Sequence, residues 1–195
     1  MRYLWGREGG TKVTLGEGKR KELMLLDEYS GGGEITVDED IDAKMNDFFD
    51  LAQRDVSAWQ PIVRRVGVTL DGTGSKALPE DVSRVIRIRK NGIRVSGYEV
   101  IDGRLISNAG DKSTLSLDYI ATPEKITPET PDDYEFEVSE EAANCLPYFV
   151  AAQQLIADLV VDYGAFYNLY LQTRALLSRS TLLSGGSVRQ ALYGG

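Results

Sequence analysis

The chain contains no histidine. That removes the commonest general base and the commonest metal ligand. An enzyme would have to use carboxylates such as Asp158 and Asp162, and no second convergent group accompanies them. A single cysteine, Cys145, excludes an internal disulfide and points to a reducing compartment. No stretch supplies the roughly 20 apolar residues that a bilayer span needs. The opening MRYLWGREGG is too short and too polar for a signal peptide. Basic residues are in deficit, with 22 Lys and Arg against 30 Asp and Glu, a net charge of −8. Nucleic-acid binding is driven by cations that neutralise phosphate, so such a chain has no general affinity for it. What is present is 195 residues, 42% hydrophobic and 27% charged. That is a globular composition, long enough for one domain with a proper core.

The pattern predicts an α+β fold, mostly helical, with an inserted small antiparallel β-meander and extended termini. Residues 1–17 carry four glycines and no period. Their apolar Tyr3, Leu4 and Trp5 suit either a loose terminus or an arm that meets a partner. The main domain is expected over 18–177, with helices at 19–29, 37–59 and 139–177. Gly31-Gly32-Gly33 ends the first helix. Thr36 and Glu39 read as a capping box for the second, whose stripe is Ile41, Met45, Phe48, Ala52 and Val56. Pro61 ends it. The β unit is expected over 62–122. Asn91-Gly92 and Asp102-Gly103 are hairpin turns, and the strands are 66–70, 84–90, 93–101, 104–107 and 114–121. Pro123, Pro128 and Pro131 make a stiff acidic link back to the helices.

The C-terminal helices carry the strongest signal. Pro147 to Val161 reads PYFVAAQQLIADLVV, apolar nearly all round. Such a helix is covered on several sides, either by the rest of the chain or by a second subunit. Ser139 can cap its start, and Pro147 and Tyr163-Gly164 are weak points. Beyond Leu177, residues 178–195 are rich in Ser and Gly. They also carry Leu182, Leu183, Val188, Leu192 and Tyr193, which a plain linker lacks.

Four constellations invite a functional reading. Gly16-Glu17-Gly18-Lys19 resembles the end of a phosphate loop, but Val13 and Arg20 stand where a glycine and a hydroxyl are required. Asp38, Asp40 and Asp42 have calcium-loop spacing. Ala43 and Phe49 replace the glycine and the last acid, and a helix start explains the acids without metal. No cofactor or metal is expected. Cys145 reads as a small core thiol. Arg84, Arg87, Arg89, Lys90 and Arg94 make one hairpin basic in an acidic protein. DNA contact, pairing with acids of a neighbouring subunit, and a solvated face all fit. No interleaved aromatic offers a stacking platform.

The order of features resembles the head–tail connector (adaptor) proteins of tailed bacteriophages. The resemblance rests on Leu78-Pro79-Glu80-Asp81 before a strand, on Tyr119 and Pro123, and on the run DDYEFEVSEEAANCLPYFVAAQQLIADLVVDYGAFYNLYLQTRALL. Within that run, Leu146, Tyr148, Val150, Ala151, Ala152, Leu155, Asp158 and Tyr167 to Leu171 fall on the family's helix pattern. It spans roughly Leu23 to Leu177 and leaves the first 17 residues unmatched. It implies a non-enzymatic structural protein of the virion neck, assembled in the host cytoplasm. This would be a dodecameric ring under the portal protein that seats a stopper or tail component. DNA would pass through it without specific binding, and no membrane is involved. A ring would place Tyr148, Phe149, Leu155, Leu159, Arg87 and Arg89 at subunit contacts. A portal-gripping tail would use Leu182, Leu183, Val188, Arg189, Leu192 and Tyr193. The alternative is a nucleic-acid-binding module using the basic hairpin Arg84–Arg94.

Overall fold

Helix α1 (Leu15–Ser30) starts at a reciprocal cap. Thr14 Oγ1 accepts from the Glu17 amide at 3.2 Å, and the Glu17 carboxylate accepts from the Thr14 amide at 3.0 Å. This capping box begins the helix four residues before the expected Lys19. The computed structural model describes residues 3–4, 12–30, 39–107, 112–157 and 163–184. Thr36 and Asp38 lie outside them. The chain divides into two units. A helical unit comprises Gly9–Gln60 and Lys125–Gly195, and a β unit comprises Met1–Glu8 and Pro61–Glu124.

In the helical unit, α2 (Glu39–Trp59) buries Met45, Phe49, Ala52 and Val56. The expected stripe had Phe48 in place of Phe49, and Phe48 is only half-buried. A second, polar row on α2 is also buried: Asn46, Asp50 and Gln53. Each holds backbone of the proline-bearing segment. Asn46 Nδ2 donates to the Thr127 carbonyl, Asp50 Oδ1 accepts from the Ile126 amide, and Gln53 Oε1 accepts from the Glu137 amide, all at 2.9 Å. These bonds satisfy backbone that the prolines exclude from regular pairing.

The expected helical span 139–177, with weak points at Pro147 and Tyr163-Gly164, is three helices. They are α3 (Glu140–Ala143), α4 (Leu146–Ala157) and α5 (Gly164–Ser184). Ser139 caps α3, its Oγ accepting from the Ala142 amide at 3.2 Å. Pro147 lies in the first turn of α4, where its missing N–H costs nothing. α4 is the hub of the unit, touching α1, α2 and α5 and burying Leu146, Pro147, Val150, Ala151, Ala152 and Leu155. From Leu146 to Leu155 the cover that its composition demands comes from within the chain. α5 runs to Ser184, past the expected end at Leu177. Its fully buried Tyr170 donates its hydroxyl to Asp55, and Arg174 pairs with the same carboxylate while stacking 4.5 Å over the Trp59 ring. Burial, then the Asp55 contact, raises the Tyr170 pKa.

The β unit overturns the expectation of a mostly helical chain with one small meander. It holds two antiparallel sheets. The first orders β1 (Tyr3–Leu4), β2 (Ile62–Thr69), β8 (Thr114–Ala121), β4 (Val82–Lys90) and β5 (Ile93–Arg94). The second orders β3 (Ser75–Ala77), β7 (Arg104–Ser107) and β6 (Tyr98–Ile101). The expected strand 93–101 is therefore broken, and its halves serve different sheets. Gly97, at φ 86°, sits at the break. β8, last in sequence, is inserted between β2 and β4, so the first sheet is not a meander. Both hairpin turns form as expected, with φ 51° and 79° at Asn91 and Gly92, and 48° and 69° at Asp102 and Gly103. Val68, Leu70, Leu105, Leu115 and Leu117 form the core of this unit.

Candidate interaction surface

Strand register sorts the first sheet into an apolar and a charged face. Along β8, Leu115, Leu117, Tyr119 and Ala121 are buried on one side. Ser116, Asp118 and Ile120 alternate to the other. Opposite them on β2 stand Gly67, Arg65 and Val63. Opposite them on β4 stand Arg89, Arg87 and Arg84. Strict alternation would send Arg84 to the opposite face from Arg87. Register shifts between Val82 and Arg84, and between Val85 and Arg87, bring all three arginines to one face. Across the hairpin, Arg94 pairs in register with Arg89 and joins them.

Five arginines thus share a face with one acid, Asp118, which is 8% exposed. Its Oδ1 accepts from Arg65 Nε at 2.6 Å and from Arg89 Nη1 at 3.1 Å. Arg87 Nη1 lies 3.9 Å from Oδ2. Arg84, Arg87 and Arg94 are exposed. Val63 and the bulged Ile86, exposed at 46% and 40%, add apolar area beside them. The chemistry is that of a surface for anionic groups, with Arg65 and Arg89 already sharing one carboxylate at its centre.

On the buried face, Asp81 accepts from Arg64 and from the Tyr119 hydroxyl, the latter at 3.1 Å. Leu78-Pro79-Glu80-Asp81 forms the turn into β4, so its acid ties that turn to β2 and β8.

The expected site residues separate. Arg87 and Arg89 meet on one face, as their spacing implies, but toward an acid of their own chain. Sequence reasoning missed Arg65 and Asp118. The alternation of β8 was the available signal, since it places a lone acid among polar positions. Tyr148 and Phe149 are half-buried, Phe149 against Tyr170 with ring centroids 5.1 Å apart, and Leu155 is 7% exposed. These are contacts within the helical unit. Leu159 lies outside the described residues, as do Asp158, Asp162, Trp5, Val188, Arg189, Leu192 and Tyr193. The backbone of Leu182 and Leu183 is on the last turn of α5. Tyr3 and Leu4 pair with Arg65 and Arg64 of β2 rather than forming a periodless arm.

The remaining constellations have packing explanations. A Cβ on Gly18 would lie 3.0 Å from the Phe49 ring and 3.2 Å from that of Phe136, so the glycine admits α1 to the core. Lys19 pairs with Asp132 at 2.9 Å. Cys145 is 4% exposed, its thiol donating to the Glu141 carbonyl at 3.3 Å, and burial raises its pKa. Among the described residues no group of three or more side chains is placed to hold a metal ion, and no helix is long and apolar enough to cross a membrane. Searches against models of known families and against curated proteins find no match.

Proposed function

We propose that this chain is a head–tail connector of a tailed-phage virion, a ring subunit that sits under the portal and extends the DNA channel. The observation that carries the reading is where the resembling motifs fall. Leu78-Pro79-Glu80-Asp81 and Tyr119 are far apart in sequence but meet at the Asp81 carboxylate. The Leu-x-Tyr-x-Val-Ala-Ala-x-x-Leu pattern from Leu146 to Leu155 occupies the hub helix. The motifs therefore mark the two anchors of the fold rather than scattered surface positions. A net charge of −8 suits a conduit, because an acidic wall does not retain a passing duplex. The role is structural, without catalysis or a cofactor. The portal is one partner, a stopper or tail component another, and the virion neck is the location. The tail holding Leu182, Leu183, Val188, Arg189, Leu192 and Tyr193 is the proposed portal contact, each buried aliphatic side chain adding roughly 1.5–3 kcal/mol.

Negative-stain images of the purified protein, alone and with its portal, test the reading. The expected result is a ring with an open channel, seated coaxially on the portal. Absence of a ring in both samples would sink it. A chain ending at Ser184 should fold and bind the portal less tightly than the intact one.

The five-arginine face favours a second reading, a nucleic-acid-binding module. Asp118 at its centre repels phosphate, and so does the chain's net charge. Tight, salt-dependent binding of duplex DNA would reverse the preference.

A further inference from the structure

Charge is divided unequally between the two units. The β unit, Met1–Glu8 with 61–124, carries twelve basic and nine acidic residues. The helical unit carries ten basic and twenty-one acidic residues. The whole deficit of the chain lies in its helical unit, and the surplus of the β unit is concentrated on one sheet face.

We propose that this arginine face docks on the acidic helical unit of a second copy of the chain, head to tail. The inference deepens the connector reading and rests on it for closure of the ring. Arg84, Arg87 and Arg94 supply the exposed charge, and Val63 and Ile86 supply apolar contact beside it. On the other side, Glu129, Asp133 and Glu140 are exposed acids of the helical unit. Arginine with neighbouring apolar groups is the composition of a docking patch rather than of a solvated one. Opposite potentials on two patches of one molecule draw unlike patches together and hold like patches apart. A contact between two different patches is heterologous, and repetition of it closes a ring or runs on as a filament. A second copy is a better occupant than nucleic acid. The Asp118 carboxylate fixed among the arginines repels a continuous phosphate backbone, but it can sit between discrete carboxylates.

The test uses two charge-reversed full-length proteins. One carries Arg84→Glu, Arg87→Glu and Arg94→Glu; the other carries Glu129→Lys, Asp133→Lys and Glu140→Lys. All six positions are exposed, and circular dichroism checks that both proteins fold. Sedimentation velocity should show the unaltered chain associating at about 50 mM salt and dissociating toward about 500 mM. Each variant alone should associate at least about tenfold more weakly. Mixed, the two variants should associate again, because the arginine face of one meets the acids of the other and the two reversed patches, glutamate against lysine, are complementary as well. Three outcomes overturn the proposal: arginine-reversed protein that associates like the unaltered chain, association indifferent to salt, or an unaltered chain that stays monomeric. So does loss of duplex-DNA binding by the arginine variant without any change in self-association, which assigns the face to nucleic acid. If the arginine variant still forms rings on the portal, this contact is wrong and the connector reading stands. If the unaltered chain forms no ring there, the connector reading itself fails.

Discussion

In the β unit, Asp118 is nearly buried and meets arginines from two neighbouring strands; in the helical unit, Glu22 is fully buried and neither carboxylate oxygen has a hydrogen-bond partner among the described residues. The difference follows from the geometry of the two architectures. A sheet sets each residue between cross-strand neighbours about 4.5–5.5 Å away, so one well-placed acid can be paired from both sides. Arg64 and Asp81 repeat the pattern on the opposite face. A helix pushed into a helical core meets ridges of side chains that are mostly apolar. Glu22 lies one turn after Gly18, on the face that α1 turns toward the core. Burying Asp118 thus costs the β unit little, whereas α1 must keep Glu22 neutral; α2 avoids that cost, its buried Asp50 accepting from the Ile126 amide and from Arg54.

The sharpest way to break this contrast is to titrate it. Desolvation raises the Glu22 pKa from 4.5 to about 8. Between those values the folded chain holds a proton that the unfolded chain has released. Stability is therefore full below about pH 4.5 and falls as pH rises toward 8. Glu22→Gln removes the slope. At about pH 9 the variant should be more stable than the parent by on the order of 4 kcal/mol. At about pH 4 the two should agree within about 1 kcal/mol. Urea titrations at the two pH values measure both differences. Parent stability that stays flat across this interval would mean that Glu22 has a counter-charge, and the contrast with Asp118 would disappear.

The second test is steric. Gly18 in α1 is needed for space, because added atoms meet two aromatic rings of the core. Gly18→Val should cost about 2–3 kcal/mol through overpacking, read from thermal or urea unfolding. A cost below about 0.5 kcal/mol would show that Phe49 and Phe136 move aside freely.

The two units also differ in how far their sequences disclose them. Asn91-Gly92 and Asp102-Gly103 are local codes, because positive φ is a property of the residue and its neighbour. The strand ends that meet these turns could be placed to the residue, at Lys90, Ile93, Ile101 and Arg104. The order of strands could not. β8 joins β2 and β4 through partners distant in sequence, and neither its insertion nor the two register shifts that realign Arg84 leaves a local mark. The helical unit hid different things. Thr14-x-x-Glu17 was a readable cap, obscured by the glycines around it. Asn46, Asp50 and Gln53 add nothing to an apolar stripe, and their partners are backbone groups of a segment without periodicity. Four of the five arginines of the charged surface, Arg84, Arg87, Arg89 and Arg94, were visible as one basic hairpin. Arg65 and Asp118 became part of it only through pairing.

The smallest effect belongs to the β unit and isolates backbone from packing. Gly92 sits at φ 79°, and a Cβ added there would meet nothing within 4 Å. Any penalty on substitution must therefore come from φ alone, the reverse of Gly18. A β-branched side chain resists this conformation most, so Gly92→Val should cost about 1 kcal/mol or a little more. Asparagine tolerates the left-handed region, so Gly92→Asn should cost less than Gly92→Val, by a few tenths of a kcal/mol or more. Chemical denaturation of the three proteins gives the ranking. Equal losses for Val and Asn would indicate that the turn has been replaced by another, and that the β4–β5 hairpin does not depend on the geometry of its tip.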